Sequence, residues 1–142
     1  MSTDLFATVF VPIADPDDAG ETARSIAPYL EPDSELLVAH VVPKGGGVPD
    51  KASVEQREEY AEEAYETFRE QLPEAVSMTP VTLYGRDVGE TIVEGAVEAG
   101  ATAIVYTPRG VSRWIDLLTG SVSDDLLENG ELPVVVLPGD DE

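Results

Sequence analysis

The sequence predicts an α/β fold, a doubly wound parallel sheet of five strands with helices on both faces. Three observations carry that expectation. Five short runs rich in β-branched and apolar residues recur along the 142 residues. Most are continuously apolar rather than alternating, and all five read as buried strands, as in a sheet covered on both faces. Helical patterns separate them, and right-handed crossovers then make neighbouring strands parallel. The length suits one domain over residues 1–142.

The first strand is expected over residues 5–13, which read Leu-Phe-Ala-Thr-Val-Phe-Val-Pro-Ile, with pairing ending near Pro12. Asp15, Pro16, Asp17 and Asp18 supply turn and capping chemistry. Ala19, Ala23, Ile26, Ala27 and Leu30 then recur at spacings of three and four, predicting a helix over about 17–30 whose last turn Pro28 weakens. Residues 31–34 break the chain before a second strand at 35–42. The loop that follows, residues 43–50, holds three consecutive glycines and two prolines. It is no phosphate loop, since Lys44 precedes the glycines and no Lys-Ser/Thr follows them.

A long helix is predicted over 51–72, with Val54, Ala61, Tyr65, Phe68 and Leu72 inward and seven glutamates, from Glu55 to Glu70, facing water. Residues 78–84 form the third strand. A helix over 88–99 follows, with Gly100 as the residue just past its end. The fourth strand spans 102–106, a long connection 107–119 leads to a short helix near 121–128, and residues 132–137 form the fifth strand. In such a sheet ligands bind beyond the carboxyl ends of the strands where strand order reverses, which directs attention to the loops after strands one, two and four.

Composition narrows the partners. Twenty-nine acidic side chains against eight basic ones give a net charge of −21. That disfavours nucleic acid and anionic membranes, both of which attract lysine and arginine. With 42% apolar residues the chain still has material for a core. Many carboxylates and two lysines match a protein of a high-salt cytoplasm, where charge repulsion is screened. The chain contains no cysteine, which removes disulfides, thiolate metal sites and cysteine nucleophiles. Its single histidine, His40, cannot form a multi-histidine metal site and reads as a packed structural residue. The N-terminus has no signal-peptide pattern, and no apolar run is long enough to span a bilayer, so the expectation is a cytoplasmic protein.

One segment stands out against the acidic background. Residues 107–123 hold Arg109 and Arg113 against Asp116 alone, a local charge of +2 − 1 = +1. Within it Gly120-Ser121 stands at a predicted helix start, where free N–H groups and the helix dipole attract anions. Gly120 lets a phosphate approach the backbone, and Ser121 and Ser123 add hydroxyl donors. Trp114 in the same loop suits packing against a sheet edge or partner better than stacking on a base.

This segment resembles the nucleotide-binding loop of the universal stress protein family, Gly-x2-Gly-x9-Gly-Ser/Thr, here Thr107-x2-Gly110-x9-Gly120-Ser121. Val11-Pro12-Ile13, His40-Val41-Val42, Gly85-Arg86-Asp87 and the closing Leu-Pro-Val-Val-Val strand resemble the family too, so the likeness covers essentially the whole chain. It implies an adenine nucleotide alpha hydrolase-like fold with strand order 3-2-1-4-5. It also implies binding of ATP or a related adenosine nucleotide, with Mg²⁺ as a candidate companion ion. A stress-response role as a homodimer, paired through the fifth strand from Pro133 to Leu137, is implied as well. The positions matching family contacts are Pro12, Ile13, Ala14, Val41, Thr107, Arg109, Gly110, Gly120, Ser121, Val122 and Ser123, with Asp15 a substitute one residue late.

Two departures bear on that implication. Thr107 stands at the first motif glycine, and Ala14 stands where nucleotide-binding members carry a ribose-contacting aspartate. Loss of a bidentate ribose contact costs about 1.5–3 kcal/mol. The alternative is therefore a dimeric interaction protein of the same fold that has lost nucleotide binding. No general base is evident near the loop, with His40 and Asp15 the only candidates, and slow ATP hydrolysis is the most catalysis expected.

Overall fold

The computed structural model describes residues 5–13, 16–43, 51–85, 88–107 and 132–137. In chain order they form β1 (Thr8–Pro12), α1 (Pro16–Ile26), a 3-10 turn (Ala27–Tyr29), β2 (Glu35–Pro43), α2 (Lys51–Glu70), β3 (Met78–Gly85), α3 (Val88–Glu98), β4 (Ala103–Tyr106) and β5 (Val134–Val136). All four strand pairings are parallel, in the order β3-β2-β1-β4-β5. This is the expected sheet and the expected strand order. The short helix expected near 121–128 lies outside the described residues.

The central strand explains the layers. Val9, Val11 and Ile13 point to one face, into a core with Ala19, Ala23 and Ile26 of α1 and Ala61, Ala64, Tyr65 and Phe68 of α2. Phe10 points to the other face, among Leu37, Ala39, Ile104 and the inward side of α3. Val9, Phe10, Val11 and Ile13 expose no surface, which accounts for the unbroken apolar run. On the first face, small residues bring α1 and α2 close. A Cβ added at Gly20 would sit 3.3 Å from Thr67 Cγ2.

Helix ends follow local chemistry. Gly100 adopts φ 74°, with Ala101 N–H donating to Ala96 O at 3.0 Å and Gly100 N–H donating to Val97 O at 3.1 Å. These two bonds close α3 with a Schellman motif, as the glycine predicts. The helix expected over 17–30 is shorter: α1 stops at Ile26 and tightens into the 3-10 turn. Pro28 has no N–H to give and disfavours continued α geometry in the residue before it. Similarly α2 ends at Glu70, and the 3-10-type bonds from Gln71 to Phe68 O and Leu72 to Arg69 O finish it ahead of Pro73.

The expectation of five buried strands needs correction. β3 and β5 lie at the sheet edges, and both are half-exposed; Thr79, Pro80 and Tyr84 of β3 and Val136 of β5 reach solvent. An edge strand has one neighbour instead of two, so its cover is incomplete. No helix among the described residues is long and apolar enough to cross a membrane.

Candidate functional site

Strand order reverses between β1 and β4: the chain leaves β1 for β2 on one side, while β4 pairs on the other. The register of β1 with β4 sets Phe10 opposite Ile104, and with β2 sets Pro12 opposite Ala39. Continued to the strand ends, these registers put His40, Ile13 and Thr107 in one row. That row borders the place where a doubly wound sheet binds ligands.

The exit of β1 is tightly fixed. Ile13 is fully buried, its N–H donates to Ala39 O at 2.8 Å, and its carbonyl lies 3.0 Å from His40 Nδ1. A carbonyl only accepts, so the contact requires the tautomer with hydrogen on Nδ1. His40 itself is buried. It is a packed residue, as the sequence suggests, and it holds the backbone one residue before Ala14. Pro12 is the last β1 residue paired with β2. Val41 is buried in the core beneath α3.

At the exit of β4, Leu137 N–H donates to Tyr106 O at 2.9 Å, which fixes the strand end against the β5 side. Thr107 follows, only 1% exposed. Its Oγ1 is 3.4 Å from Thr22 Oγ1 on α1, and Thr22 in turn donates to Asp18 Oδ1 at 3.0 Å. Because Thr22 has one hydroxyl proton and gives it to Asp18, Thr107 is the donor in the longer contact. Asp18 and Thr22 are both buried, at 1% exposure each. Asp18 lies in the first turn of α1, where the helix dipole favours a carboxylate.

Pro12, Ile13 and Thr107 thus meet at the switch point, with Val41 behind them in the core. Ala14, Asp15, Arg109, Gly110, Gly120, Ser121, Val122 and Ser123 lie outside the described residues. Asp18 and Thr22 are the residues that sequence reasoning missed; Asp18 read as a capping carboxylate. The available signal was their spacing of four beside the apolar stripe Ala19-Ala23-Ile26, which places both next to the buried face.

A second polar cluster lies away from this row. The Tyr65 hydroxyl donates to Val81 O at 2.8 Å and meets Thr82 Oγ1 at 2.8 Å, and burial pushes its pKa above the ordinary tyrosine value. The Tyr84 hydroxyl donates to Glu58 Oε2, which holds its proton and raises its pKa as well. Glu55, Glu58, Glu59 and Glu62 line a cleft of about 380 Å³ beside Thr82 and Tyr84. Four carboxylates repel a phosphate, so this cleft is unsuited to a nucleotide. Among the described residues no group of three or more His, Asp or Glu is placed to hold a metal ion.

The pattern describing the universal stress protein family matches residues 6–138. The chain belongs to this family. Solved universal stress proteins share the fold. One from Archaeoglobus fulgidus in complex with dAMP is 21% identical over 94% of this chain and 99% of its own, with a TM-score of 0.66. A family protein from Burkholderia pseudomallei is 24% identical over 95% of this chain and 98% of its own, at a TM-score of 0.65. A universal stress protein in complex with cAMP is 19% identical over 92% of this chain and 95% of its own, at 0.59. Comparison with curated protein sequences gives no match.

Proposed function

We propose that this universal stress protein binds an adenosine nucleotide, ATP or a close relative, with Mg²⁺ accompanying the phosphates, and acts in stress response as a homodimeric regulator. The observation that carries the reading is the row His40-Ile13-Thr107 at the switch point, from which the glycine loop departs. Gly120 and Ser121 then offer backbone amides to phosphate, Ser121 and Ser123 add hydroxyls, and Arg109 supplies charge. The other positions that match family contacts are Gly110 and Val122 in the loop, and Pro12, Ile13, Ala14, Asp15 and Val41 at the ends of the first two strands. Solved family members holding dAMP and cAMP support the ligand class. The dimer pairs through β5, and the net charge of −21 suits a cytoplasm at molar salt.

A second reading, a dimeric interaction protein without nucleotide, is favoured by Ala14 at the position of the ribose-contacting aspartate. One experiment separates the two. Protein purified in molar salt is denatured and the supernatant chromatographed for released nucleotide, and the folded protein is melted with millimolar ATP and Mg²⁺. The first reading expects bound adenine nucleotide or a raised melting temperature. An empty preparation with no thermal shift refutes it and leaves the second.

A further inference from the structure

We propose that Thr107 is a positioning residue of the ligand-binding edge, its side chain tying the end of β4 to α1 through Thr22 and Asp18. The inference rests on the nucleotide reading for its consequence, though not for its geometry. From sequence alone a threonine at the first motif glycine reads as an obstruction, a branched Cβ where backbone approaches ribose or phosphate. The structure puts those atoms elsewhere. Side chains alternate along a strand, so Thr107 shares the α1 face with Ala103 and Val105. Its hydroxyl meets Thr22, 85 residues away in sequence, inside the packing between β4 and α1. The added atoms therefore lie against α1.

The contacts also have a direction. Thr107 donates to Thr22, and Thr22 donates to the Asp18 carboxylate. A run of hydroxyls ending on a carboxyl oxygen is polarised along its length. The first link, at 3.4 Å, is long for a pair of hydroxyls, so its effect belongs at the modest end of the hydrogen-bond range. A glycine at 107 would have no such tether and would leave the strand end free to sample more backbone conformations.

The decisive comparison is ATP affinity, by equilibrium dialysis in molar potassium chloride, for the natural chain and for Thr107→Val, Thr107→Ser, Thr107→Gly, Thr22→Val and the double valine variant. Removing the hydroxyl in Thr107→Val weakens binding about two- to threefold. Thr107→Ser, which keeps it, recovers most of that loss. Thr107→Gly, although it restores the family residue, binds more weakly than the natural chain. Thr22→Val, which also removes the bond to Asp18, loses at least as much as Thr107→Val, and the double variant loses no more than Thr22→Val alone. Binding by Thr107→Gly as tight as that of the natural chain, or tighter, overturns the proposal. So does a Thr107→Val variant that melts earlier yet binds equally well, because a purely structural hydroxyl behaves that way. If the natural chain binds no ATP, the nucleotide reading fails by itself. Melting temperatures of the same single and double valine variants then decide the tether: a non-additive loss supports it and an additive loss overturns it.

Discussion

Gly85 ends β3, and a methyl group placed there tests how closely α3 is seated on the sheet. An added Cβ would overlap Thr91 Oγ1 and lie 3.1 Å from Thr91 Cβ and 3.2 Å from Thr91 Cγ2. Rotating the Thr91 side chain exchanges which branch is too close, but Cβ stays where the helix backbone puts it. Relief thus requires α3 to shift, and Ile92 and Ala96 on that helix are fully buried against the sheet. Overpacking of this kind costs about 1–3 kcal/mol. Alanine returns about 0.4–1 kcal/mol by restricting the unfolded chain. The net loss for Gly85→Ala is about 0.5–2 kcal/mol, or about 2–8 °C in melting temperature for a chain of this size. Thermal denaturation by circular dichroism in molar potassium chloride measures it. The double variant Gly85→Ala/Thr91→Ala removes both Thr91 branches and recovers at least half of the loss. An unchanged melting temperature in the single variant, or strictly additive effects in the double, refutes the packing argument.

Three further expectations are open to measurement. Burial raises the pKa of Tyr65, so the fold favours its neutral form. That stabilisation is complete below the ordinary tyrosine pKa of about 10 and is lost as pH rises through the higher folded value. Urea unfolding should show stability falling above about pH 10, while Tyr65→Phe loses about 1 kcal/mol at neutral pH and flattens the alkaline fall; an equally steep fall in the variant contradicts it. The net charge of −21 makes the melting temperature rise with potassium chloride from millimolar to molar concentration, and a flat profile contradicts the halophilic reading. Light scattering in molar salt should give a dimer that Val136→Lys, at the exposed valine of β5, converts to monomer, and a monomeric natural chain refutes pairing through β5.

Much of the fold was legible because burial against a sheet leaves a periodic trace. The unbroken run around Val9–Val11 and the three-and-four spacing of Ala19, Ala23 and Ile26 each mark a face covered by a neighbour. Gly100 was legible for a different reason: the positive φ that closes α3 is one few side chains tolerate. The edge strands were misjudged, since composition reports that a residue is apolar and not how many neighbours its strand has. At the candidate site, Thr107 was singled out by the spacing of the glycine motif and Ile13 by Val11-Pro12-Ile13 at the end of the first strand. The tether from Thr107 to Thr22 was invisible because two hydroxyls 85 residues apart leave no local pattern. Asp18 was misread for a related reason: a carboxylate in a first helical turn serves equally well as a solvated cap or as a buried acceptor, and only packing distinguishes the two.

The two outer strands of the described sheet are built differently, and the difference bears on which one suits a second copy. β3 carries Pro80, exposed and without an N–H, in the middle of its length. Beside it stand Glu55, Glu58, Glu59 and Glu62 of α2, so another copy brought to this edge would meet charge of its own sign. β5 is three valines with no charged side chain, and Val136 is 48% exposed. In dilute buffer both the carboxylates and the proline protect β3. Molar salt shortens the Debye length to about 3 Å and removes most of the first protection. It cannot restore the hydrogen-bond donor that Pro80 lacks. In the proposed dimer the preference for β5 therefore persists in molar salt, with the strength of pairing there set by valine contact and backbone hydrogen bonds rather than by charge.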